Sequence, residues 1–441
     1  MLHESYLNRM REILKDGFED YIHSFDLSPA RALRINKKKV KDLSLHLDFE
    51  TSPLSFQENG RLFENDKIGS HPYHHAGCIY VQEPSAMIPV ASIDIDPSWK
   101  VLDMCACPGG KTSQVAENLK NGFIISNEIV SSRCKTLASN VERLGFENTV
   151  ITNTDTDTLA RLYPEYFDLV IADAPCSGEG MFRKDPRAVE EWSEGNVEMC
   201  ARRQKEILKN AIACVKENGY LIYSTCTFSF EENEDNVKYV LENYPALSLV
   251  MPKECVLNAS TPSPLFPECR RMYPHLSQGE GQFVAVFHKK EGFTAPTPKS
   301  TPLPDIPKAD RETVFKFIDD FTEGLCKDRI FSFKENIVYL PYNIPVFEKI
   351  TYSCGVTLGR VEKGVFRPHH QFFSALGNHF KIKINLSLSD ERVEKYLKGE
   401  SIECDKDNGW ACVMIDSFSL SGAKVVDKTA KNHYPKGLRK M

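Results

Sequence analysis

The middle of the chain, from about residue 86 to residue 290, alternates short apolar runs with segments of helical periodicity. The apolar runs predict strands over 99–104, 123–126, 150–152, 167–173, 220–225 and 281–287. One helical pattern starts at 112, and a second ends near 145. A third runs from 199 to a closing Asn218-Gly219 pair, and a fourth follows Cys226. Such alternation is typical of a mostly parallel sheet with helices on both faces, so we predict an α/β fold.

The flanking segments predict additional domains. Residues 1–85 begin with helical spacing of Tyr6 and Met10 and continue through a basic segment, which indicates an N-terminal accessory domain that binds a polyanion such as RNA. Residues 291–309 form a proline-rich linker with Pro296, Pro298, Pro302, Pro304 and Pro307. We therefore predict a catalytic domain over 86–290, a mixed α/β module over 310–378 and a strand-rich module over 379–441.

Composition restricts where the protein works. No apolar run approaches the roughly 20 residues that a membrane helix needs, and the N-terminus has no signal-peptide pattern. The 14 cysteines are scattered and form no CxxC pair, so we expect reduced thiols. A solvated turn explains His71, His74 and His75 better than a metal site does, and we predict no metal. We expect a cytoplasmic monomer without membrane attachment.

Two basic segments stand out in a chain whose net charge is −6. The first lies at 31–41 and the second at 424–440, and in either case a solvated surface is the ordinary explanation. Two such segments at opposite ends of an acidic chain favour a polyanionic partner. The residues that we predict to contact RNA phosphates are Arg31, Arg34, Lys37, Lys431 and Lys436.

A small-residue turn follows the first predicted strand of the sheet. The segment Asp103-Met104-Cys105-Ala106-Cys107-Pro108-Gly109-Gly110-Lys111-Thr112 combines a strand end, a glycine pair and a helix start. Glycines permit close approach of a ligand, and the free amides of a helix N-terminus suit a carboxylate or phosphate. The turn matches neither GxxxxGK[ST] nor GxGxxG. Acids end the next strands, at Glu128, Asp155 and Asp173, and predict a crevice for a hydroxylated nucleoside or a cation.

Two cysteines follow predicted strands: Cys176 in Asp173-Ala174-Pro175-Cys176-Ser177-Gly178, and Cys226 in Ser224-Thr225-Cys226-Thr227. Buried thiols are common, but two at strand ends beside a nucleotide-type turn suggest covalent catalysis. A thiolate that adds to carbon 6 of cytosine makes carbon 5 able to attack a sulfonium methyl group. Cys226 and Cys176 are the candidate nucleophiles, Asp173 is the acid beside them, and Lys111 is a candidate to lower the thiol pKa.

As a set, these motifs resemble the NOL1/NOP2/Sun family of RNA cytosine-carbon-5 methyltransferases. The resemblance includes a lead-in segment, Tyr80-Val81-Gln82-Glu83-Pro84-Ser85-Ala86-Met87, and covers about 75–290. Cys107 departs from it, since alanine is usual there. Gly178-Glu179-Gly180-Met181-Phe182-Arg183-Lys184-Asp185-Pro186 and the ending Lys431-Asn432-His433-Tyr434-Pro435 resemble the RsmF-like bacterial group, whose members modify small-subunit ribosomal RNA and carry a C-terminal PUA-like RNA-binding module.

The resemblance implies a Rossmann-like class I methyltransferase sheet that uses S-adenosylmethionine. It implies that Cys226 attacks cytosine, that Cys176 assists release of the methylated RNA and that Asp173 contacts base and cofactor. It places the methionine part against Cys105, Ala106, Cys107, Pro108, Gly109, Gly110 and Lys111. It places the ribose at Glu128 and the adenine edge at Asp155, with Asp157 as the alternative.

The resemblance leaves other functions open. The core motifs also fit a transfer RNA substrate in place of ribosomal RNA or the small subunit. Amino-nitrogen methylation is disfavoured because Cys176, and not an aromatic residue, follows Pro175. A non-catalytic RNA-binding assembly factor is the alternative outside enzymes, and retention of both cysteines and the cofactor acids argues against it.

Overall fold

The computed structural model describes residues 2–65, 67–293, 297–300 and 302–440. Its helices in chain order are α1 (Glu4–Leu14), α2 (Phe18–His23), α3 (Pro72–His75), α4 (Ile88–Ala91), α5 (Gly110–Ala116), α6 (Ser131–Leu144), α7 (Thr156–Leu162), α8 (Pro186–Glu191), α9 (Glu194–Cys214), α10 (Glu234–Asn243), α11 (Glu254–Ala259), α12 (Lys308–Phe321), α13 (His370–Leu376) and α14 (Glu391–Leu397).

Most strands are short. Those before the linker are β1 (Ala32–Ile35), β2 (Thr51–Leu54), β3 (Gln57–Phe63), β4 (Ile79–Val81), β5 (Lys100–Asp103), β6 (Phe123–Asn127), β7 (Thr149–Thr152), β8 (Phe167–Asp173), β9 (Val215–Thr225), β10 (Leu247–Leu249), β11 (Thr261–Pro262), β12 (Arg270–Met272) and β13 (Gln282–Lys289). Those after it are β14 (Ile330–Phe333), β15 (Asn336–Tyr339), β16 (Thr351–Cys354), β17 (Val356–Glu362), β18 (Val365–Pro368), β19 (Ile382–Leu386), β20 (Ile402–Glu403), β21 (Gly409–Ile415), β22 (Phe418–Val426) and β23 (Thr429–Asn432).

The central sheet has the order β11-β12-β13-β9-β8-β5-β6-β7-β16, and β10 pairs with β13. The strands β9, β8, β5, β6 and β7 run parallel, whereas β13 and β16 pair antiparallel at the two sides. Neighbouring residues of the buried strands point to opposite faces. Leu102 and Val170 therefore pack with α9 on one face, and Val101 and Leu169 pack with α5 and α6 on the other.

Local signals explain most of the element boundaries. Helix α6 ends at Gly145, whose φ of 77° provides the left-handed cap. Helix α9 begins after Ser193, whose side chain accepts a hydrogen bond from the amide of Asn196. The expected closure of this helix at Asn218-Gly219 is wrong: α9 ends at Cys214, and both residues lie inside β9. The positive φ of Asn218, 58°, belongs to an irregular strand pairing and not to a helix cap.

Three smaller sheets flank the central sheet within the described residues. Their strand orders are β2-β3-β1-β4, β14-β15-β17-β18 and β19-β21-β22-β23-β20. Helix α12 begins at Lys308, inside the predicted linker 291–309, and Pro296 of that linker lies outside the described residues. Since β16 also joins the central sheet, the predicted domain boundaries stay predictions.

Candidate active site

The carboxyl ends of the parallel strands gather the predicted acids. Cys105, the second residue after β5, lies near three acids. Burial first, and then the carboxylates of Asp103, Asp173 and Glu128, raise the pKa of its thiol. Three strand ends therefore face one crevice, as expected for this fold. The same environment keeps Cys105 protonated, so it is unsuited to act as a nucleophile.

The glycine turn connects β5 to α5. Gly109 has a φ of 107°, a conformation that favours glycine, and α5 begins at the next residue. A Cβ atom at Gly110 would lie 3.0 Å from the Gln82 amide nitrogen, so a larger residue would require the Gln82 side chain to shift. The first amides of α5 have no acceptor within their helix. The turn thus presents free N–H groups to the crevice.

Asp173 is held in place at the end of β8. Its Oδ2 lies 2.6 Å from Lys111 Nζ, and its Oδ1 accepts hydrogen bonds from the Ser224 hydroxyl at 2.7 Å and the Gln282 amide at 3.4 Å. Lys111 is buried, and a third of the Asp173 side chain is exposed. The ion pair connects the glycine turn to the strand that precedes Cys176.

Glu128 and Asp155 lie in different environments. The buried Glu128 accepts a hydrogen bond from the Val130 amide at 2.9 Å, and Arg133 lies 3.4 Å from its second oxygen. Asp155 is exposed and caps α7 by accepting from the Thr158 amide at 2.7 Å, a bond that lowers its pKa. Asp155 therefore has a structural role as a helix cap, and its adenine contact stays a prediction.

The two predicted cysteines are in contact. Cys176 Sγ lies 3.2 Å from Cys226 Sγ, and both are free and half-buried. The hydrogen bond with Cys226, followed by burial, raises the pKa of Cys176 well above its ordinary value. Two thiols in contact cannot both ionise readily, because the second charge would form beside the first. Cys176 is the one that retains its proton.

A buried polar network fixes the two cysteine loops to each other. Glu232 accepts hydrogen bonds from the Ser177 amide at 3.0 Å and from the Gln204 side chain at 2.7 Å. The Ser177 and Thr227 hydroxyls lie 2.8 Å apart. Burial raises the pKa of Glu232, even though these donors oppose the shift. The sequence analysis did not find Glu232, because an acid in a helical, acidic segment carries no signal of burial.

Glu179 supports the same loops from the other side. It is buried, and it accepts from the Trp192 indole at 2.9 Å and from the Phe228 amide at 2.8 Å. The amide of Gly180 donates to the Cys226 carbonyl at 2.8 Å. These residues belong to the segment 178–186 that carried the resemblance, which was the available signal for their role.

The structure corrects the prediction for Arg34. Only 1% of its surface is exposed, and it lies under the glycine turn instead of on an RNA-facing surface. Its guanidinium donates to the Gln82 side chain at 2.8 Å, Glu117 at 2.7 Å, the Gly110 carbonyl at 3.1 Å and the Ser113 hydroxyl at 2.5 Å. With these donors engaged inside the protein, Arg34 is not available to a phosphate.

The other predicted RNA contacts lie nearer the surface. Arg31, Lys431 and Lys436 are exposed, and Lys37 is partly exposed and pairs with Glu58 at 2.8 Å. Their roles stay predictions. Among the described residues, no group of three or more His, Cys, Asp or Glu side chains is placed to hold a metal ion. In the same residues, no helix has the length and apolar character to cross a membrane.

Comparison with known proteins agrees with this geometry. The sequence profile described as 16S rRNA methyltransferase RsmB/F matches residues 91–288. A ribosomal RNA small subunit methyltransferase F from Cronobacter sakazakii is 30% identical, and the alignment covers 99% of this chain and 96% of that protein. The chain belongs to the ribosomal RNA small subunit methyltransferase F family. The predicted family and its methyltransferase activity are thereby confirmed.

Family membership also explains the flanking sheets. The N-terminal domain of 16S rRNA methyltransferase RsmF matches residues 2–84, and the methyltransferase RsmF PUA domain matches 383–440. A methyltransferase homolog from Pyrococcus horikoshii has 27% identity and a TM-score of 0.57 over 64% of this chain and 93% of its own. NSun6 from the same organism shares the fold at 19% identity, with a TM-score of 0.58 over 66% of this chain and 99% of its own. The predicted fold class is confirmed.

Proposed function

We propose that this family member transfers a methyl group from S-adenosylmethionine to carbon 5 of a cytidine in 16S ribosomal RNA. The observation that carries the proposal is the contact of the Cys176 and Cys226 thiols at adjacent strand ends, beside the Lys111–Asp173 pair. The family supports ribosomal RNA as the substrate, since the curated relatives are named for the small subunit. A nucleophilic thiol supports carbon 5 as the methylated atom.

The residues around the glycine turn fit the proposed methyl donor. The free amides of α5, in the turn 105–111, suit its carboxylate, and the buried Glu128 suits ribose hydroxyls. We assign the adenine edge to the exposed Asp155, whose carboxylate has lone pairs beyond those used in capping α7. When bound, S-adenosylmethionine supplies an electrophilic methyl group.

Cys226 is the proposed nucleophile. Its thiolate forms a bond to carbon 6 of cytosine, and the electrons of the carbon 5–carbon 6 double bond then form the bond from carbon 5 to the methyl group. The bond between that methyl group and the sulfur of the donor breaks, and its electron pair stays on the sulfur. Asp173, fixed by Lys111 and Ser224, is assigned to contact the base. The Cys176 thiol is assigned to donate a hydrogen bond to the Cys226 sulfur when Cys226 attacks as a thiolate.

Release requires transfer of the carbon 5 proton to a water molecule that acts as the base. The electrons of the broken carbon–hydrogen bond restore the double bond, and the Cys226 thiolate is expelled. The position of Cys176, 3.2 Å from the departing sulfur, supports a role in this step. Because the pKa of Cys176 is raised, its thiol stays protonated and can donate a hydrogen bond to the departing Cys226 thiolate. We therefore assign Cys176 to release and Cys226 to attack.

The experiment compares Cys226→Ala, Cys176→Ala and, as a control, Cys326→Ala, which removes an exposed cysteine of the C-terminal part. We expect Cys226→Ala to lower methylation of a 16S rRNA transcript more than about a thousandfold, and Cys176→Ala to accumulate a covalent RNA–protein complex. Denaturing gels and bisulfite sequencing measure both, with transfer RNA as the competing substrate. Normal turnover by Cys176→Ala with no shifted band would contradict the division of roles.

We also propose that the protein acts in the cytoplasm as a monomer. The 14 cysteines are all free in the structure, and free thiols at a catalytic centre require a reducing compartment. Gel filtration of the reduced protein with light-scattering detection measures the oligomeric state, and a mass near twice 50.0 kDa would contradict the monomer.

A further inference from the structure

Strands β22 and β23 place two lysines directly opposite each other. Lys424 and Lys431 are partners in this antiparallel pair, so their side chains lie on the same face of the sheet. Both are exposed, and neither has an ion-pair partner in the part of the chain that the structure describes. Like charges directly opposite each other destabilise a sheet, so folding alone does not explain this pair.

Strands β17 and β18 repeat the arrangement with arginines. Arg360 and Arg367 are also direct partners, and their side chains are 50% and 61% exposed. Glu362 lies 2.5 Å from Arg360 and 4.0 Å from Arg367, and Glu335 lies 4.0 Å from Arg360. These acids offset part of the charge, and at least half of each arginine side chain stays exposed.

The two pairs lie near each other although they belong to different sheets. His433 lies near one member of each pair: burial, and then the positive charges of Lys424 and Arg367, lower its pKa. Aromatic rings hold the two sheets together beneath. Trp410 lies 4.5 Å from His433 and 6.0 Å from Phe317, which in turn lies 4.8 Å from Phe366, the neighbour of Arg367.

We propose that Arg360, Arg367, Lys424 and Lys431 form one phosphate-binding surface, here called the two-sheet basic surface, for the sugar–phosphate backbone of the RNA substrate. The proposal rests on the proposed function, because the polyanion is that substrate. It extends the RNA-binding role beyond the C-terminal module to the sheet of β14, β15, β17 and β18. Trp410, the aromatic residue beneath the surface, is largely covered, so the surface holds phosphates without stacking bases.

The test measures the affinity for a 16S rRNA transcript at several salt concentrations. Neutralising a lysine or arginine that contacts a phosphate reduces the slope of log K against log salt concentration by about 1. We expect a reduced slope in both the Lys424→Gln/Lys431→Gln and the Arg360→Gln/Arg367→Gln variants. The control, Lys316→Gln/Lys395→Gln, removes the same charge from helical lysines that pair with Asp320 and Glu391, and should keep the wild-type slope.

A second measurement separates binding from folding. Because Lys424 and Lys431 repel each other, Lys424→Gln should raise the melting temperature at low salt while it weakens RNA binding. Arg360→Lys/Arg367→Lys keeps the charge and should keep most of the slope. Wild-type slopes in both glutamine variants, or an equal loss in the control, would overturn the surface.

Failure of the proposed function gives a different result. If digestion of a transcript treated with the wild-type protein yields no 5-methylcytidine, the substrate assignment fails whatever the salt slopes are. If the wild-type protein methylates RNA and the four substitutions leave affinity unchanged, only the two-sheet basic surface is refuted. If the wild-type protein bound acidic polypeptides more strongly than RNA, the assignment of the two-sheet basic surface to RNA would also be refuted.

Discussion

At the scale of single residues, the active site depends on which of two touching thiols ionises. A thiolate at Cys226 gains a hydrogen bond from Cys176, whereas a second ionisation would place two negative sulfurs 3.2 Å apart. The second ionisation is therefore the harder one, and the hydrogen bond with Cys226 together with burial raises the pKa of Cys176. In the proposed function, this asymmetry assigns the role of nucleophile to Cys226 and the role of hydrogen-bond donor to Cys176.

Arg34 illustrates how a surface-type residue can serve the cofactor turn from beneath. The guanidinium group of Arg34 donates to Gln82, Glu117 and the Gly110 carbonyl, and in Arg34→Lys a single ammonium group would have to replace it. We expect the variant to lower the free energy of unfolding by about 3 kcal/mol and to weaken S-adenosylmethionine binding, since the turn loses its support. Urea unfolding and isothermal titration measure these effects.

The matched control is Arg61→Lys on β3, a partly exposed arginine whose side chain bonds to the carbonyls of Glu58 and Gly60. It should change neither stability nor cofactor affinity appreciably. The salt slope of RNA binding should stay at its wild-type value in a second variant, Arg34→Gln, which removes the charge. A reduced slope with normal cofactor affinity would return Arg34 to the phosphate-binding role that its sequence neighbours suggested.

At the scale of elements, the sequence predicted the central sheet because its strands are nearly continuous apolar runs buried on both faces. The edge strand β16 was not predicted, since Thr351–Cys354 joins β7 through backbone hydrogen bonds that leave no periodic signal. The Asn218-Gly219 pair misled for a related reason. Its positive φ is equally suited to a helix cap and to a strand irregularity.

The site was predictable where chemistry depends on residue type and not where it depends on burial. The thiol identifies Cys176 and Cys226 as candidates, and the lack of a side chain identifies the glycine turn. The roles of Glu179 and Glu232 arise from tertiary packing, which removes them from water and supplies their donors. A sequence lists their charges but does not show which donors meet them.

The helices α1 and α2 extend this support to the N-terminal segment. Tyr6 lies 4.8 Å from Phe182 and 5.5 Å from Trp192, and Arg9 donates to Glu231 at 3.0 Å. The cluster therefore packs directly behind the loops that hold the two cysteines. The N-terminal domain contributes to the active site through Glu179 and Trp192 as well as through any contact with RNA.

Glu179→Ala tests this connection. The variant leaves the Trp192 indole and the Phe228 amide without their buried acceptor, which should cost about 2 kcal/mol or more of stability. Because Phe228 lies two residues after Cys226, kcat should fall while the affinity for S-adenosylmethionine is kept. Glu179→Gln retains an acceptor oxygen for only one of the two donors and should recover part of the stability and of kcat. An unchanged kcat in a folded Glu179→Ala protein would disconnect the cluster from catalysis.

At the scale of the whole molecule, the two ends of the chain share one hydrophobic core. Leu33 and Ile79 of the N-terminal sheet pack in the same cluster as Val413 and Leu420 of the PUA module. Helix α13 contacts β17 and β22, and β16 extends the central sheet. These connections join the N-terminal sheet, the PUA module and the central sheet through packed contacts.

Buried histidines make this junction sensitive to acid. His75 bonds to the Tyr434 hydroxyl at 2.7 Å, and His370 lies against the same ring and bonds to Ser421 at 3.0 Å. Burial, the largest cause in each case, lowers the pKa of His75 to about 4 and that of His370 to about 3. Nearby positive charges add to this: Lys440 and Arg143 act on His75, and Lys39 acts on His370.

The sign of the effect follows from proton linkage. Below about pH 6.5 the unfolded chain binds protons on these imidazoles, whereas the folded chain does not until about pH 4. The free energy of unfolding should therefore be constant above pH 6.5 and fall as the pH is lowered, by at most about 1.4 kcal/mol per pH unit for each histidine. His75→Gln should flatten this dependence, and His23→Gln, at an exposed site, should not. Urea midpoints at pH 7.5, 6 and 5 measure this pH dependence, because these values lie on both sides of the unfolded imidazole pKa of about 6.5. An unchanged slope in His75→Gln would show that the junction does not couple to these protons.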